Sequence, residues 1–448
     1  MENKLNVGFA RVNVTPPMGI NIAGYFQIRL ADGVLDELEC NALALTLGEQ
    51  TAVVLSIDNC GIKMDVLDDF RHFAAEQTGL PYESIIVNAT HTHTGPCINR
   101  DDDTELVIEY RQFLKRRVAD AAMLALADRK PARMGYRVGT APNISFVRRF
   151  IMKDGSIRTN PGVNNPDIDK PIGEVDERVN VVRFDREGAE SIVLVNFGDH
   201  PDTVGGCKIS ADWPGFVRKT LEAAIDNCKC IFLNGVQGDV NHVNVHPVSG
   251  DLNDMFMDFD DVSRGYGHAR FMGRVVAGAV LQVYDKVEYV DVDRMKVVQK
   301  TIHIASNMPA PEDLPKAHEI NDYHQAGRDD RIPFKGMELT TVVAEAERML
   351  KLANGPEYFD MYLTGLVLGD LVLIGIPGEP FTDIGLALKK AEGWKLVLPC
   401  CLTNGDEGYF PTRSAYDEGG YEARSSFFKP GVAESIIEEG LILLNELR

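Results

Sequence analysis

Two histidines separated by a single residue, His91 and His93, stand just after a short apolar segment. The segment 84–89 predicts a buried strand, so both histidines would leave the end of that strand. In extended backbone, side chains two residues apart point to the same face, and both imidazoles can therefore face one cavity. One would act as a metal ligand and the other as a supporting or acid–base group. Two hydrogen-bonded structural histidines are the alternative interpretation.

A third histidine and a carboxylate occupy similar positions. His200 follows the apolar segment 190–197, and Pro201 favours extended backbone at His200, which suits a ligand that projects from a strand end. Glu379 follows a third apolar run. A lone histidine of this kind usually has a structural role, but its parallel with His91 favours a shared function.

Catalytic zinc typically takes three protein ligands, for example two histidines and one glutamate, and keeps one position for water. His91, His200 and Glu379 would supply this ligand set if their three strand ends meet. Spacing alone leaves that convergence open. It also leaves open iron or manganese, because histidine and carboxylate ligands serve all three metals.

Short motifs around these residues follow one another along the chain. They lie at 8–17, 23–25, 91–96, 198–201, 212–215, 238–240, 377–379 and 408–409. In this order they resemble the catalytic domain of the neutral/alkaline non-lysosomal ceramidases, and the resemblance runs over nearly the whole chain. Each motif is short, so the resemblance depends on their number and order.

The resemblance implies a set of ligands for one zinc ion (Zn2+), made by four residues that match the family motifs: His91, His200, Glu379 and Tyr409. It also implies that His93 lies beside the reacting carbonyl group and that Tyr421 polarises the amide oxygen. Arg148 resembles an arginine of the substrate pocket, although Arg149 is an equal match.

The sequence departs from the family motif at residue 241. Where the family has Gly-Asp-Val-Ser-Pro-Asn, this chain has Asn241 in the place of the serine. This excludes the serine as a nucleophile and leaves hydrolysis by a metal-activated water. His242 and His246 follow as additional histidines, which we interpret as polar pocket or surface residues, with a second metal site as the alternative.

We therefore expect a zinc-dependent amidohydrolase that cleaves the amide bond of an N-acyl substrate. An esterase, lactonase or deacetylase acting on a small polar acyl compound is one alternative, because it would use the same ligands. A non-catalytic metal-binding relative is another. The sequence has no secretory signal and lacks the C-terminal immunoglobulin-like domain of the longer ceramidases, and we expect both features to favour a polar substrate over a membrane lipid.

The elements that must position these residues alternate between strand-like and amphipathic segments, which predicts an α/β fold with mixed β-sheets and helices packed outside. We expect one ceramidase-like catalytic domain over residues 1–448. Helices are predicted at 64–78, 104–128, 213–227, 262–283, 338–353, 381–392 and 430–447. Strands are predicted at 39–47, 51–58, 84–89, 132–138, 176–184, 190–197, 229–234, 287–303, 359–368, 371–376 and 395–399. The stretch 306–335 is expected to be a long surface loop.

The chain has 448 residues, with 46 lysines and arginines against 67 acidic residues, and its formal charge is −21. This charge repels polyanions, so we expect neither a nucleic acid nor an anionic membrane as a partner. No apolar stretch reaches the length of about 18 residues that a membrane-spanning helix needs. Eight cysteines are too few for a disulfide scaffold and predict free thiols. We expect a cytoplasmic protein whose partner is a small-molecule or N-acyl substrate, and the sequence leaves the oligomeric state open.

Overall fold

The computed structural model describes residues 4–100, 104–254 and 265–448. The strands of this part of the chain are β1 (Asn6–Asn13), β2 (Gly33–Val34), β3 (Glu39–Leu47), β4 (Gln50–Ile57), β5 (Ile85–Ala89), β6 (Lys130–Thr140), β7 (Phe146–Val147), β8 (Arg149–Met152), β9 (Ile157–Thr159), β10 (Ile168–Ile172), β11 (Arg178–Arg186), β12 (Ser191–Phe197), β13 (Lys208–Ile209), β14 (Cys228–Asn234), β15 (Val240–Asn241), β16 (Glu288–Val290), β17 (Met295–Ala305), β18 (Tyr358–Leu368), β19 (Leu371–Gly375), β20 (Glu379–Pro380), β21 (Leu396–Cys400) and β22 (Tyr409–Phe410). Its α-helices are α1 (Met64–Thr78), α2 (Glu105–Ala127), α3 (Asp212–Ala224), α4 (Tyr266–Tyr284), α5 (Leu314–Gln325), α6 (Met337–Leu352), α7 (Thr382–Leu388), α8 (Arg413–Glu418), α9 (Tyr421–Ser425) and α10 (Val432–Glu446).

Two sheets contain most of the long strands. Within the described residues, the larger sheet has nine strands in the order β14-β12-β11-β6-β1-β3-β4-β5, with β16 paired to β6. The second sheet has four strands in the order β17-β18-β19-β21. Strands β4 and β5, strands β12 and β14, and strands β19 and β21 pair in parallel. Strands that run in parallel end at the same edge of their sheet, so loops that follow them can meet there.

The two sheets pack face to face, with helices on both outer faces. Successive side chains of a strand alternate between its two faces. On β3, Leu43 and Leu45 face the second sheet, whereas Ala42 and Ala44 face helices α1 and α2. Helices α3 and α4 cover the same outer face further along the sheet, and α7 and α10 cover the second sheet. The resulting order of layers, helix–sheet–sheet–helix, confirms the predicted α/β class with mixed sheets and helices outside.

The two edge strands of the larger sheet, β5 and β14, lie side by side and are joined by polar side chains. The Ser56 hydroxyl, on the neighbouring strand β4, also donates to the Phe232 carbonyl oxygen of β14 over 2.6 Å. The Asn234 backbone N–H donates to Asn88 Oδ1 over 3.2 Å, and the Asn234 side-chain amide donates to the Thr90 carbonyl oxygen over 3.1 Å. These hydrogen bonds hold the carboxyl ends of β5 and β14 together, so the loops that follow the two strands begin close to each other.

Most predicted elements agree with the structure within a few residues. Helix α1 and strand β3 have the predicted bounds. The strand predicted at 287–303 is instead two strands, β16 and β17, and the helix predicted at 381–392 ends at Leu388. The helix predicted at 262–283 corresponds to α4, and residues 262–264 lie outside the described residues.

The prediction of a long surface loop at 306–335 is wrong, because this stretch contains helix α5. Ala317 and Ile320 lie one turn apart on α5 and pack against Val342 of α6. Pro315 lies in the first turn of α5, where its missing N–H has no intrahelical partner to lose. Two apolar side chains are enough to anchor the helix, but they are too few to stand out in a polar sequence.

No described helix has both the length and the apolar character needed to cross a bilayer. The eight cysteines are free thiols, as predicted. The single-domain organisation, the cytoplasmic location and the absence of a nucleic-acid partner stay predictions.

Candidate active site

The structure brings His91, His200 and Glu379 together, as the candidate ligand set requires. His91 follows β5, His200 follows β12, and Glu379 follows β19 after a short turn. Glu379 Oε2 lies 3.3 Å from His91 Nε2 and 3.1 Å from His200 Nε2. All three side chains are buried, and they form one of the groups in the described residues that could hold a metal ion.

Backbone carbonyl groups fix the orientation of both imidazoles. His91 Nδ1 contacts the Cys60 carbonyl oxygen, and His200 Nδ1 lies 2.9 Å from the carbonyl oxygens of Gln237 and Val240. A carbonyl oxygen can only accept, so Nδ1 carries the hydrogen in both rings. Nε2 of each ring is therefore the nitrogen directed at the same carboxylate oxygen of Glu379.

This arrangement fits a divalent metal. Two imidazole lone pairs and a carboxylate oxygen repel one another unless a cation or a proton lies between them. Ligand atoms that bind a tetrahedral zinc ion at about 2.0–2.1 Å lie about 3.3 Å from one another. The separations of 3.1 and 3.3 Å match that spacing, and two histidines with a glutamate are a donor set that zinc accepts.

The electrostatics of the cluster also favour a bound cation. Burial raises the pKa of Glu379, but the neighbouring His91 and His200 outweigh burial and hold this pKa well below its usual range. Burial and the charge of Arg148 lower the pKa of His200 to about 3. Burial opposes the protonation of His91, yet Glu379 and Cys60 raise its pKa well above the usual value. The site therefore keeps an ionised carboxylate beside two histidines, one of which holds a proton.

His93 lies next to His91 but outside the group that Glu379 joins. Its Nε2 is 3.3 Å from His91 Nε2, and the two rings meet edge to face at 4.8 Å between centroids. His93 instead belongs to a second group that could bind a metal, with Cys60 and His91. Burial raises the pKa of the Cys60 thiol, and metal ligation requires the thiolate, so this second group is the weaker candidate.

The backbone that carries the two histidines is not extended, so the predicted reason for their shared direction is wrong. His91 has a φ of 76°, in the left-handed region that residues with a side chain seldom occupy. Its N–H donates to the Asn59 carbonyl oxygen over 2.8 Å, and the Thr92 hydroxyl donates to the Ser210 carbonyl oxygen over 2.6 Å. These bonds hold a turn of high energy, a feature that clusters at functional sites.

Tyr409 is held beside Glu379 by strand pairing. Strands β20 and β22 run in parallel with Glu379 opposite Tyr409 in the register. The Tyr409 ring stacks near the His200 ring at 6.5 Å and 21°. Burial and the charge of Glu379 raise the pKa of the Tyr409 hydroxyl well above its usual value. The structure thus places Tyr409 next to the cluster, and its role as a ligand stays a prediction.

Arg148 faces the cluster, whereas Arg149 does not. Arg148 donates from Nε to Glu422 over 2.6 Å and from Nη2 to the Gly238 carbonyl oxygen over 2.7 Å. Its Nη1 lies 3.3 Å from His200 Nε2. Arg149 pairs instead with Glu418 on the other side of the strand. Arg148 is therefore the arginine that lies beside the cluster, and its role in the substrate pocket stays a prediction.

Tyr421 begins helix α9 and lies above Tyr409. The two rings meet edge to face at 5.6 Å, and Phe26 lies on another side of Tyr421 at 6.4 Å. A groove of about 990 Å³ opens beside Tyr421. Most of the side chains along the groove are polar or charged, and they include Arg158, Thr159, Asn160, Lys335, Glu338 and Arg424.

Asn241 and the two histidines that follow it do not join the cluster. The Asn241 side-chain amide donates to Asn160 Oδ1 over 3.0 Å, and its own Oδ1 accepts the Val243 N–H over 3.0 Å. The His242 ring lies 5.7 Å from that of His268, and His246 is exposed. Among the described residues, no group of side chains that could hold a metal includes His242 or His246.

Several neighbours of the cluster were not among the predicted site residues. Gln237 Nε2 lies 3.5 Å from Glu379 Oε2, and Asp202 Oδ1 lies 3.4 Å from His93 Nδ1. Asp212 lies within a quoted motif, and its carboxylate accepts the backbone N–H groups of residues 203 and 204 over 2.9 Å. Asp202 directly follows the His-Pro motif, and this position could have identified it from the sequence as a neighbour of the site.

Comparison with solved structures supports the predicted resemblance. The neutral ceramidase from Pseudomonas aeruginosa superposes with a TM-score of 0.73 at 16% identity, and the match covers 100% of this chain and 75% of that chain. A ceramidase complexed with C2 gives a TM-score of 0.73 at 18% identity, covering 99% of this chain and 76% of that chain. No protein-family model and no curated protein matches the sequence. Over its whole length, this chain has the fold of the neutral ceramidases.

Proposed function

We propose that this protein is a metal-dependent amidohydrolase that hydrolyses an N-acyl compound with the help of one zinc ion. The observation that supports it most directly is the buried meeting of His91, His200 and Glu379 at 3.1–3.3 Å, with His93 alongside. The shared fold adds support, because two solved structures with this fold are ceramidases.

His91, His200 and Glu379 would hold the metal, with Tyr409 as the fourth protein ligand. A divalent metal in such a site lowers the pKa of a bound water to about 7 and polarises a carbonyl group. The buried walls of the cluster exclude other water, which strengthens every electrostatic interaction inside it. The metal ligands thus fix where the scissile carbonyl group must bind.

The remaining side chains handle protons and charge. His93 Nε2 accepts the proton that the attacking water gives up and delivers it to the nitrogen of the leaving amine. The new bond joins the water oxygen to the carbonyl carbon, the carbon–nitrogen bond breaks, and the products are a carboxylic acid and an amine. The Tyr421 hydroxyl and Arg148 Nη1 donate hydrogen bonds to the carbonyl oxygen as its negative charge develops.

The groove beside Tyr421 favours a substrate with a polar portion. Its charged side chains, such as Arg158 and Lys335, can bind a polar or charged group of the substrate. The same observation supports the second candidate function, an esterase or deacetylase that acts on a small polar acyl compound. The formal charge of −21 also opposes close approach to an anionic bilayer.

The test combines metal analysis with a substrate screen. Purified protein is expected to contain one zinc ion per chain and to hydrolyse short N-acyl amides of polar amines faster than the matching O-acyl esters or long-chain N-acyl amides. Faster turnover of the esters would select the second candidate function. Stoichiometric zinc without turnover of any acyl compound would contradict both and would indicate a non-catalytic relative.

Variants assign the roles. His91→Ala and Glu379→Ala are expected to lose zinc and hydrolysis together, whereas His93→Ala keeps zinc and loses turnover. His303→Ala is a matched control, because the His303 side chain is 70% exposed and pairs with the exposed Asp360. Full activity in all three site variants would refute the assignment.

A further inference from the structure

Behind His93 lies a largely buried carboxyl group, that of Asp202, which the proposed chemistry has not used. Asp202 Oδ1 is 3.4 Å from His93 Nδ1, on the side of the ring away from His91. The Asp202 side chain is 14% exposed and that of His93 is 11% exposed, so little water separates them. A charge or dipole at this position acts on the imidazole through a medium of low dielectric constant.

The hydroxyl of Tyr25 defines how this carboxylate faces the ring. It donates a hydrogen bond to Asp202 Oδ1, the same oxygen that His93 Nδ1 approaches. When the carboxyl group is ionised, or carries its proton on Oδ2, Oδ1 presents lone pairs to both Tyr25 and His93. Nδ1 of His93 makes no hydrogen bond within the described residues and faces this oxygen at 3.4 Å, so the environment favours the tautomer with the hydrogen on Nδ1, which can donate to it.

The surrounding backbone holds the chain Tyr25–Asp202–His93 in place. Arg29 donates to the His93 carbonyl oxygen over 2.7 Å and lies 4.0 Å from the centre of the Tyr25 ring. The loop after Asp202 is fixed by Asp212, whose carboxylate accepts the N–H groups of residues 203 and 204. Each member is thus tied to the protein by contacts independent of the other two.

We infer that Asp202 and Tyr25 are positioning residues that hold His93 in the tautomer with hydrogen on Nδ1, leaving the Nε2 lone pair to accept a proton. The inference rests on the proposed function, in which His93 moves that proton. It follows the logic of a histidine oriented by a carboxylate in hydrolytic triads. Removing the acceptor lets the hydrogen move to Nε2, and His93 then cannot accept the proton of the attacking water.

Steady-state kinetics of the zinc-loaded protein tests the role. Asp202→Ala is expected to lower kcat about 10- to 100-fold, part of the roughly 10²–10⁴-fold that acid–base catalysis contributes. KM and zinc content should stay unchanged. Asp202→Asn keeps a carbonyl acceptor and should restore part of kcat, and Tyr25→Phe should lower kcat about fivefold, as for loss of one hydrogen bond.

A surface pair of the same kind provides matched controls. Tyr289 donates its hydroxyl hydrogen to Asp185, away from the cluster. Tyr289→Phe and Asp185→Ala should leave kcat unchanged. In a His93→Ala background, Asp202→Ala should lower kcat no further, because its effect acts through His93. An equal additional loss in that background would overturn the inference.

Nitrogen NMR of ¹⁵N-histidine-labelled protein gives a readout that needs no turnover. The His93 signals, identified by their loss in His93→Gln, should show a protonated Nδ1 and an unprotonated Nε2 in the zinc-loaded protein. Asp202→Ala should shift the hydrogen towards Nε2. The same tautomer in both proteins would overturn the inference, even if no substrate were hydrolysed, whereas absence of hydrolysis alone would count only against the proposed function.

Discussion

At Glu379, a single carboxylate oxygen lies within 3.3 Å of Nε2 of two imidazoles, those of His91 and His200. The pKa of His91 is raised, so His91 is protonated, and the pKa of Glu379 is lowered, so its carboxyl group is ionised. His200 remains neutral down to a pH of about 3. A metal that enters this site must therefore displace one proton, the one on His91.

Proton release on metal binding is the first prediction at this scale. At pH 7, zinc binding to metal-free protein should release at least one proton, that of His91, because the pKa of His91 is raised while His200 and Glu379 are already deprotonated. Affinity should fall about tenfold for each pH unit below the pKa of His91. Calorimetry in buffers of different ionisation enthalpy measures the number of protons. A value of zero would contradict the account.

Replacing Arg148 tests the contribution of its positive charge to stability and to catalysis. Arg148→Ala removes a buried partner of Glu422, which should lower the free energy of unfolding by about 3–5 kcal/mol. It should also lower kcat about 10²-fold through loss of a donor to the carbonyl oxygen. Arg149→Ala is the control and should leave kcat unchanged, because Arg149 pairs with Glu418. Denaturant unfolding and kinetics measure both effects, and equal kcat values in the two variants would refute the distinction.

At the scale of elements, the loop at 23–25 lies directly against the His93 ring. Gly24 has a φ of +100°, and a Cβ atom there would lie 2.6 Å from His93 Nδ1. The ring thus occupies space that only a glycine leaves open. Gly19, on the same loop, has a φ of +84° but no atom within 4 Å of a Cβ.

This contrast predicts different outcomes for two alanine variants. Gly19→Ala and Gly24→Ala should each cost about 1–2 kcal/mol of stability, because both place a side chain in left-handed backbone. Only Gly24→Ala should also displace His93 and lower kcat, by tenfold or more. Thermal unfolding and kinetics separate the two effects. If Gly19→Ala lowered kcat as much as Gly24→Ala, contact with His93 would not be the cause.

The sequence predicted the helices and strands better than it predicted how distant segments pack together at the site. Apolar periodicity indicated α1, β3 and the strand ends before His91, His200 and Glu379, because burial imposes that pattern locally. The contact between β5 and β14 depends on hydrogen bonds of polar residues such as Asn88 and Asn234, and these residues do not follow the apolar periodicity from which elements are predicted. The left-handed turn at His91 and the partners Asp202 and Gln237 likewise depend on contacts between distant segments.

At the scale of the whole molecule, the candidate ligands connect both sheets. His91 and His200 follow strands of the larger sheet, and Glu379 follows a strand of the second sheet. A metal held by all three therefore links the two central layers. Binding to the folded state alone stabilises a protein by mass action.

Zinc should therefore raise the stability of the fold. At free zinc about 100-fold above its Kd, the free energy of unfolding should increase by about 2.7 kcal/mol, provided that the unfolded chain does not bind zinc. A chelator should reverse the increase. Differential scanning calorimetry of the wild type and of His91→Ala measures the effect, and a zinc response that survives in His91→Ala would place the ion elsewhere.

The central claim is that two imidazoles and one carboxylate from distant segments bind a single metal ion. Anomalous diffraction at the zinc absorption edge, from crystals grown with zinc, tests it most directly. We expect one strong peak within about 2.0–2.2 Å of Nε2 of His91, Nε2 of His200 and an oxygen of Glu379. A peak bound by other residues, or none at this cluster despite zinc in the crystal, would contradict it.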